Sequence, residues 1–126
     1  INGDKKQLLL LFKHLVDNAV KYAKPKIPPF LKIKYELVTG DFLGKNNLLF
    51  HQIAIADNGI GFNEEYAHKL FTIFRRLHSH ESNFTGKGIG LAICKKIMFN
   101  HSGYITAQGK DGEGAIIIIH FLVEGQ

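Results

Sequence analysis

The chain has 126 residues, of which 45% are hydrophobic, and a single cysteine. This length suits one domain with one core, residues 1–126, and no apolar run approaches the roughly 20 residues of a membrane span. One cysteine excludes an internal disulfide and a multi-cysteine zinc site. The formal net charge of +5 is not gathered in a basic run with interleaved aromatic residues, so nucleic-acid binding has no support.

The first predicted element is an amphipathic helix over residues 5–23, whose apolar positions recur at helical spacing until Pro25. Apolar and charged residues then alternate over residues 31–38, which predicts a half-buried strand. Two glycines and two asparagines between residues 39 and 47 predict a hairpin loop, and residues 48–56 should return antiparallel.

Residues 58–87 are predicted to be irregular, apart from a short helix at 64–74 and a mobile polar segment at 79–85. A second long helix is predicted over residues 88–101 and should end at Gly103. Cys94 lies in this apolar helix, so inert core packing is expected for its thiol.

A closing hairpin is predicted from strands at residues 104–108 and 115–123, joined by a glycine-rich turn. The four isoleucines at 116–119 predict a central strand that is covered on both sides. The whole pattern predicts an α+β fold, a two-layer sandwich in which helices cover one face of a mixed, mostly antiparallel sheet.

Asn18 places a carboxamide in the apolar stripe of the first helix, on the face of Leu11, Leu15 and Tyr22. An unpaired buried amide costs about 1–3 kcal/mol, so this side chain needs a partner. A hard cation beside phosphate oxygens is one solution, and a bond to nearby backbone in the core is the other.

Asp57 has the strand parity of Ile53 and Ile55, so its carboxylate should face the buried side just before Gly59 and Gly61. A buried acceptor needs a donor, which the exocyclic amine of adenine supplies. Glycines let a flat base approach the backbone. An ordinary Asp-Asn-Gly turn is the alternative.

Three glycines in residues 86–91 precede and enter the second long helix, where free N–H groups and the helix dipole attract phosphate. A dinucleotide-binding fingerprint would need glycine in place of Leu91. A Walker A loop would need serine or threonine in place of Gly88. A glycine-rich hinge remains the alternative.

Four motifs now occur in one order: Asn-Ala-x-Lys-Tyr at 18–22, Asp-x-Gly-x-Gly at 57–61, Phe-x-x-Phe at 71–74 and Gly-x-Gly-x-Gly-Leu at 86–91. They resemble the N, G1, F and G2 boxes in the catalytic ATP-binding domain of bacterial sensor histidine kinases. These kinases share a superfamily with gyrase and heat-shock chaperones. Residues 70–97 especially resemble phytochrome-type sensors. The resemblance implies a Bergerat-type sandwich with a mobile ATP lid.

Carried over by position, the resemblance implies that Asn18 coordinates a Mg²⁺ ion on the ATP phosphates and that Lys21 lies near them. Asp57 would hold the adenine amine, and Gly59 and Gly61 would shape the base pocket. Further roles are implied for residues that pack around or contact the nucleotide: Tyr22 and Phe74 in packing, Arg76 at the terminal phosphate, the backbone of Gly88, Ile89, Gly90 and Leu91 around the phosphates, and residues 78–85 as the lid.

The chain departs from the family pattern at four positions. His14 replaces the usual asparagine one turn before Asn18, where it could assist a proton transfer or lie at the pocket rim. Lys87 replaces a threonine and could contact phosphate or extend into solvent. Thr72 replaces a glutamate, and Ala115 replaces a hydroxyl residue that helps orient the base. These four changes could lower the nucleotide affinity without abolishing it.

The implied reaction moves the γ-phosphate of ATP to a histidine on a separate, upstream dimerisation domain, and a response regulator receiver domain is the further partner. Residues 1–4 contain neither an initiator methionine nor a signal-peptide apolar region, so we expect a cytoplasmic fragment of a longer, homodimeric sensor. Two alternatives stay open: a gyrase- or chaperone-type ATPase, and a degenerate module that binds nucleotide or a partner only.

Overall fold

The computed structural model describes residues 3–61, 85–110 and 112–126. In chain order its elements are helix α1 (Lys5–Lys21), strands β1 (Leu31–Phe42) and β2 (Lys45–Asp57), helix α2 (Thr85–Asn100), and strands β3 (Gly103–Lys110) and β4 (Gly114–Leu122). The strands form one sheet in the order β1-β2-β4-β3. The predicted α+β sandwich is confirmed, although every pairing among the described strands is antiparallel and none is parallel. The helix predicted at 64–74 lies outside the described residues.

One apolar core joins the two layers. Both helices and the inner face of the sheet contribute to it, with Leu11, Leu15, Leu91, Ile97, Ile55, Ile117, Ile119 and Phe121 among its buried side chains. The spacing of these positions explains the fold, because every third or fourth residue of a helix and every second residue of a strand face the same side. No helix in the described ranges is long and apolar enough to cross a membrane.

The beginning of α1 is held against the end of α2. Asp4 caps α1 by accepting the N–H of Gln7 (3.0 Å), and the N–H of Asp4 donates to Nε2 of His101 (3.0 Å). Because Nε2 accepts, Nδ1 carries the proton and donates to the carbonyl of Ile97 (2.8 Å). A Cβ on Gly3 would lie 2.5 Å from this imidazole. The two helices are therefore antiparallel neighbours.

The hairpin between β1 and β2 is longer than the sequence predicts. Residues 39–42 and 45–47 continue the strands, and only Leu43 and Gly44, both at positive φ, form the turn. A register irregularity between Gly40 and Phe42 adjusts the pairing. The loop prediction at residues 39–47 was wrong because side chains on the outer face of the sheet extend the pairing.

These side chains form an aromatic cluster on the face opposite the helices. Phe50 is completely buried there by ring contacts with Phe42, Tyr104 and His120. The ring of Tyr104 stacks on that of His120, with centroids 4.3 Å apart. A Cβ on Gly40 would lie 3.5 Å from the Tyr104 hydroxyl, so this glycine leaves room for the ring without being essential. The cluster extends the hairpin to residue 42.

Two burial predictions need correction. Strand β4 is central, and Ile117 and Ile119 enter the core, but Ile116 on the outer face is 37% exposed, so the isoleucines are not covered on both sides. Strand β1 is an edge strand, and on its helix side Leu31 is half-buried against the core, whereas Ile33, Tyr35 and Leu37 are exposed. Alternation predicts which residues share a face but cannot predict whether a helix covers it.

Cys94 packs as the sequence predicts. Its side chain is fully buried, and its Sγ lies 3.8 Å from the carbonyl of Leu11 on the neighbouring helix. Burial raises the pKa of the Cys94 thiol to about 12, so the thiol is protonated and inert at neutral pH.

His120 makes folding stability depend on pH. Burial lowers the pKa of His120, its Nε2 bonds to Oε1 of Gln52 (3.0 Å), and its buried Nδ1 has no hydrogen-bond partner in the described part of the chain. Beyond Gln52 lies Glu36, whose carboxylate accepts from the Gln52 amide at 3.5 Å. The unfolded chain therefore binds the His120 proton more readily. We expect the free energy of unfolding to decrease as pH falls below about 6.5.

Urea denaturation between pH 5 and 8 tests this expectation. His120→Phe should flatten the pH dependence, whereas Tyr104→Phe, which keeps the imidazole and the ring stack, should retain it. An equal slope in His120→Phe and the unchanged protein would contradict the assignment.

Candidate functional site

Asp57 ends β2 on the helix-facing side, as its parity predicts, and its side chain is half-buried. One carboxylate oxygen, Oδ1, accepts two backbone N–H groups, from Gly59 (2.9 Å) and from Ala115 on β4 (3.2 Å). The other oxygen has no hydrogen-bond partner among the described residues. The carboxylate is thus oriented by the protein and can still accept one donor.

The turn after Asp57 is connected directly to the end of α1. The N–H of Ile60 donates to the carbonyl of Tyr22 (3.0 Å), and the N–H of Tyr22 donates to the carbonyl of Asn18 (3.1 Å). A Cβ on Gly59 would lie 2.5 Å from the Tyr22 carbonyl oxygen. Glycine is therefore required at position 59 for this connection.

The turn between β3 and β4 also contacts the turn that follows Asp57. The N–H of Gly112 donates to the carbonyl of Ile60 (2.7 Å). Gly114 has φ +95°, and a Cβ there would overlap the carbonyl oxygen of Asp57. Gly61 has φ +70°, which favours glycine. Three chain segments meet around Asp57, and glycine backbone allows the approach.

Asn18 lies on the flank of α1 that faces α2. It is half-buried, and its carboxamide makes no hydrogen bond to a described residue. Gln7, eleven residues earlier on the same helix face, bonds to Asn100 of α2 at 3.4 Å, which fixes the direction of that face. The backbone partner that would make Asn18 an ordinary core asparagine is therefore not found in the described part of the chain.

Helix geometry places Asn18 level with Gly88. The two helices are antiparallel and touch where Cys94 meets Leu11. Asn18 is seven residues beyond that contact on α1, about 10 Å along the axis, and Gly88 is six residues before it on α2, about 9 Å along the axis. The asparagine motif, the Asp57 turn and the glycine motif therefore converge at one end of the sandwich.

Helix α2 begins three residues earlier than predicted, at Thr85 instead of residue 88. In α1 the N–H of the fourth helical residue, Leu8, already bonds to the carbonyl of the cap residue (2.9 Å). In α2 the helical N–H groups without an intrahelical acceptor are therefore those of residues 85–87, and none of the four predicted phosphate-binding residues is among them. The Leu91 side chain is 2% exposed and belongs to the core, which leaves only its backbone for a ligand. Phosphate binding by all four residues remains a prediction.

Two further predicted site residues, His14 and Lys21, lie on α1 near Asn18. His14 is half-buried one turn before Asn18, and Lys21 is exposed, with Nζ 5.6 Å from the centre of the Tyr22 ring. For Lys87 the structure describes the backbone within α2. The predictions for Arg76, Thr72 and Phe74, together with lid residues 78–84, lie outside the described residues.

Sequence reasoning missed Asn58. Its Oδ1 accepts the N–H of Phe30 (2.8 Å), and its Nδ2 donates to the carbonyl of Pro28 (3.2 Å). These bonds fasten the connection between α1 and β1 beneath the turn. The Asp-Asn-Gly pattern signals a turn, but nothing in it names a partner 28 residues away, and the backbone donor at Ala115 was equally unpredictable.

We compared the sequence with known protein families. Residues 3–125 match the family described as histidine kinase-, DNA gyrase B- and HSP90-like ATPase. The chain belongs to this family. As a member of the histidine kinase-, gyrase B- and HSP90-like ATPases, it carries an ATP-binding domain, and the predicted resemblance is confirmed.

Its sequence relatives include sensor kinases. The chain is 38% identical over 115 residues to phytochrome-like protein Cph1 of Synechocystis, which covers 91% of this chain and 14% of that protein. It is 30% identical over 122 residues to the sensor histidine kinase YkoH of Bacillus subtilis, covering 96% of this chain and 24% of that protein. The chain thus spans a minor part of the length of these relatives.

Solved structures show the same fold. The catalytic domain of histidine kinase ThkA, in a nucleotide-free form, superposes with a TM-score of 0.66 at 22% identity, covering 97% of this chain and 69% of that one. The mycobacterial sensor histidine kinase MprB gives 0.65 at 24% identity, covering 95% and 72%. The sandwich is therefore that of histidine kinase catalytic domains.

Gly59→Ala tests the connection between the turn and α1. The added Cβ would lie 2.5 Å from a backbone carbonyl that cannot move without displacing α1, so we expect a loss of about 1–3 kcal/mol in the free energy of unfolding. Gly40→Ala is the matched control, because its Cβ meets only ordinary contacts from 3.5 Å outward. Similar urea midpoints for the two variants would show that the Tyr22 contact does not constrain the turn.

Proposed function

We propose that this domain binds Mg²⁺–ATP and transfers the γ-phosphate to a histidine on another domain. The observation that carries the proposal is the Asp57 carboxylate, of which one oxygen is held by two backbone donors while the other has no partner among the described residues. This acceptor lies at the end of α1, on the same side of the fold as the free N–H groups of α2.

The geometry suits recognition of an adenine amine. Because Oδ1 already accepts two backbone N–H groups, the second oxygen of Asp57 is the acceptor left for an N–H of the exocyclic NH₂ group of adenine. Gly59 and Gly61 have no side chains to separate the base from the turn, and Tyr22 supplies packing beside it. Ala115 contributes its N–H to Asp57 but has no hydroxyl with which to orient the base.

The phosphates are proposed to lie between α1 and the first turn of α2. The N–H groups and the dipole of that turn attract anions, and Lys21 adds a positive charge from the end of α1. Binding by the backbone of Gly88, Ile89, Gly90 and Leu91 requires the first turn to unwind. The glycines at 86, 88 and 90 lower that cost, since each weakens a helix by about 1 kcal/mol relative to alanine.

Asn18 fits a magnesium ion. Its half-buried carboxamide has no partner in the described ranges, and a neutral amide oxygen beside phosphate oxygens is a suitable ligand for a hard cation. The ion would neutralise charge on the phosphate oxygens. His14, one turn away on α1, is proposed as a neutral imidazole that accepts or passes a proton at the edge of this site.

In the proposed reaction, an imidazole nitrogen of the acceptor histidine forms a bond to the γ-phosphorus. The bond from that phosphorus to the bridging oxygen breaks, and ADP leaves with the electron pair. Phosphoryl transfer depends on positioning and charge stabilisation more than on covalent help. Asp57 would position the base, and Asn18, Lys21 and the α2 backbone would position the phosphates.

The partners follow from the kinase function. The relatives are several times longer than this chain, and we propose that residues 1–126 are the catalytic domain of a longer, homodimeric sensor working in the cytoplasm. An upstream dimerisation domain would carry the acceptor histidine, and a receiver domain of a response regulator would take the phosphate next.

Asp57→Asn tests the base site. The amide oxygen can still accept from Gly59 and Ala115, but the open position becomes an NH₂ group that faces the adenine amine. We expect ADP to bind about 10- to 100-fold more weakly by calorimetry, as for loss of a hydrogen bond to a charged group. Asp41→Asn in the β1–β2 hairpin is the matched control and should bind normally. Undiminished affinity in Asp57→Asn would refute the adenine assignment.

Asn18→Ala tests the metal site separately. The unchanged protein should bind ATP more tightly with Mg²⁺ than with a chelator, and the variant should lose that difference, about tenfold or more, while keeping its metal-free affinity. Asn46→Ala, at an exposed hairpin position, is the control. A metal dependence that survives in Asn18→Ala would remove this residue from the proposed ligands.

A further inference from the structure

The net positive charge of the chain comes from its first 50 residues. Nine lysines and four acidic residues occur there, which accounts for the whole net charge of +5, and the other 76 residues are neutral in sum. Helix α1 alone carries four lysines and one aspartate. This half of the molecule therefore favours an acidic partner.

The same helix exposes an apolar flank. Leu9, Val16 and Val20 are separated by seven and four residues, so they share one side of α1, and Lys5 and Lys13 lie on that side with them. This flank points away from α2, because Gln7 on the opposite side bonds to Asn100. Asn18 lies on the α2 side, so the apolar flank is separate from the proposed nucleotide site.

Strand β1 exposes a second apolar row. Ile33 and Tyr35 pair with Ile55 and Ile53 of β2, which belong to or pack against the core, so the row faces the helix layer. Leu37 continues it. Yet no helix in the described part of the chain covers these side chains, and they are as exposed as those on α1.

The two rows border one groove. Helix α2 packs beside β3 and β4, at the far side of the sheet from β1, so the flank of α1 that faces away from α2 lies toward the β1 edge of the sheet. The Tyr22–Ile60 bond brings the end of α1 to the start of β1, so helix and strand run antiparallel. We name this surface the α1–β1 groove, lined by Leu9, Val16, Val20, Ile33, Tyr35 and Leu37.

We propose that the α1–β1 groove binds an amphipathic helix with acidic flanks from a partner protein. Its six apolar side chains are between 42 and 63% exposed, and a contiguous patch on the order of a few hundred Å² is a mark of an interaction site in a monomeric protein. An apolar groove accepts the apolar face of a helix, and Lys5 and Lys13 at its rim attract carboxylates.

Charge also decides against a second copy of the chain. A symmetric dimer through this surface would bring Lys5 and Lys13 of both copies together, and like charges across an interface oppose association. The position of the groove between a helix and a sheet edge suits an inserted helix better than a flat lipid surface. A self-association contact and a membrane contact are therefore outcomes that would overturn the proposal.

Two synthetic 18-residue helices serve as probes. Both carry leucine at i, i+3, i+4 and i+7 spacing, and the other positions are glutamate in one peptide and lysine in the other. Binding is measured by calorimetry and by amide chemical shifts of the 126-residue protein. We expect the glutamate peptide to bind saturably and to shift amides of α1 and β1, and the lysine peptide not to bind.

Leu37→Gln should weaken binding of the glutamate peptide about tenfold or more, as for loss of a central interface side chain. Leu43→Gln, at a leucine in the turn of the same hairpin that is 79% exposed against 58% for Leu37, should leave it unchanged. Both variants should bind ADP normally, so failure of this proposal is distinguishable from failure of the proposed nucleotide site.

Four results would overturn the proposal. These are no saturable binding of the glutamate peptide at millimolar concentration, equal binding of both peptides, and equal weakening by the two substitutions. The fourth is dimerisation in sedimentation, or binding to phosphatidylglycerol vesicles, that Leu37→Gln abolishes.

Discussion

The hydrogen bond from the Ile60 N–H to the Tyr22 carbonyl is the constraint on which the rest of the site depends. It joins the last turn of α1 to the turn after β2, and it exists because Gly59 has no side chain to hold the two backbones apart. Through it the position of Asn18 is coupled to that of Asp57, although the two residues are 39 positions apart in sequence. The β3–β4 turn completes the arrangement by bonding to Ile60 as well.

Three sides of helix α1 contact different parts of the molecule or its surface. Leu11 and Leu15 enter the core, His14 and Asn18 face the side of α2, and Leu9, Val16 and Val20 form one wall of the α1–β1 groove. Because successive residues of a helix are 100° apart, 17 residues suffice for all three. The nucleotide site and the groove share one rigid element without sharing a residue.

The parts of the fold that follow from local periodicity could be predicted. The parity of Asp57 with Ile53 and Ile55 placed its carboxylate on the helix side, and helical spacing predicted α1 to within two residues of its end. The parts that depend on contacts between distant segments could not. The hairpin was extended by rings from four strands, and Asn58 and Ala115 have partners that no local pattern predicts. The prediction that β1 is half-buried also failed, because the burial of a strand depends on which part of the sheet a helix covers.

Helix α1 is fastened at both ends by backbone groups. At its start the N–H of Asp4 is held by His101, and at its end the carbonyl of Tyr22 is held by Ile60. The two contacts are about 25 Å apart, which is the length of 17 helical residues at 1.5 Å each. Helix α1 therefore acts as a rigid spacer between them. The distance between Asp4 and the turn that holds Asp57 is therefore set by the length of a single helix. The fold thus contains a rigid link between the start of α1 and the far end of the sandwich.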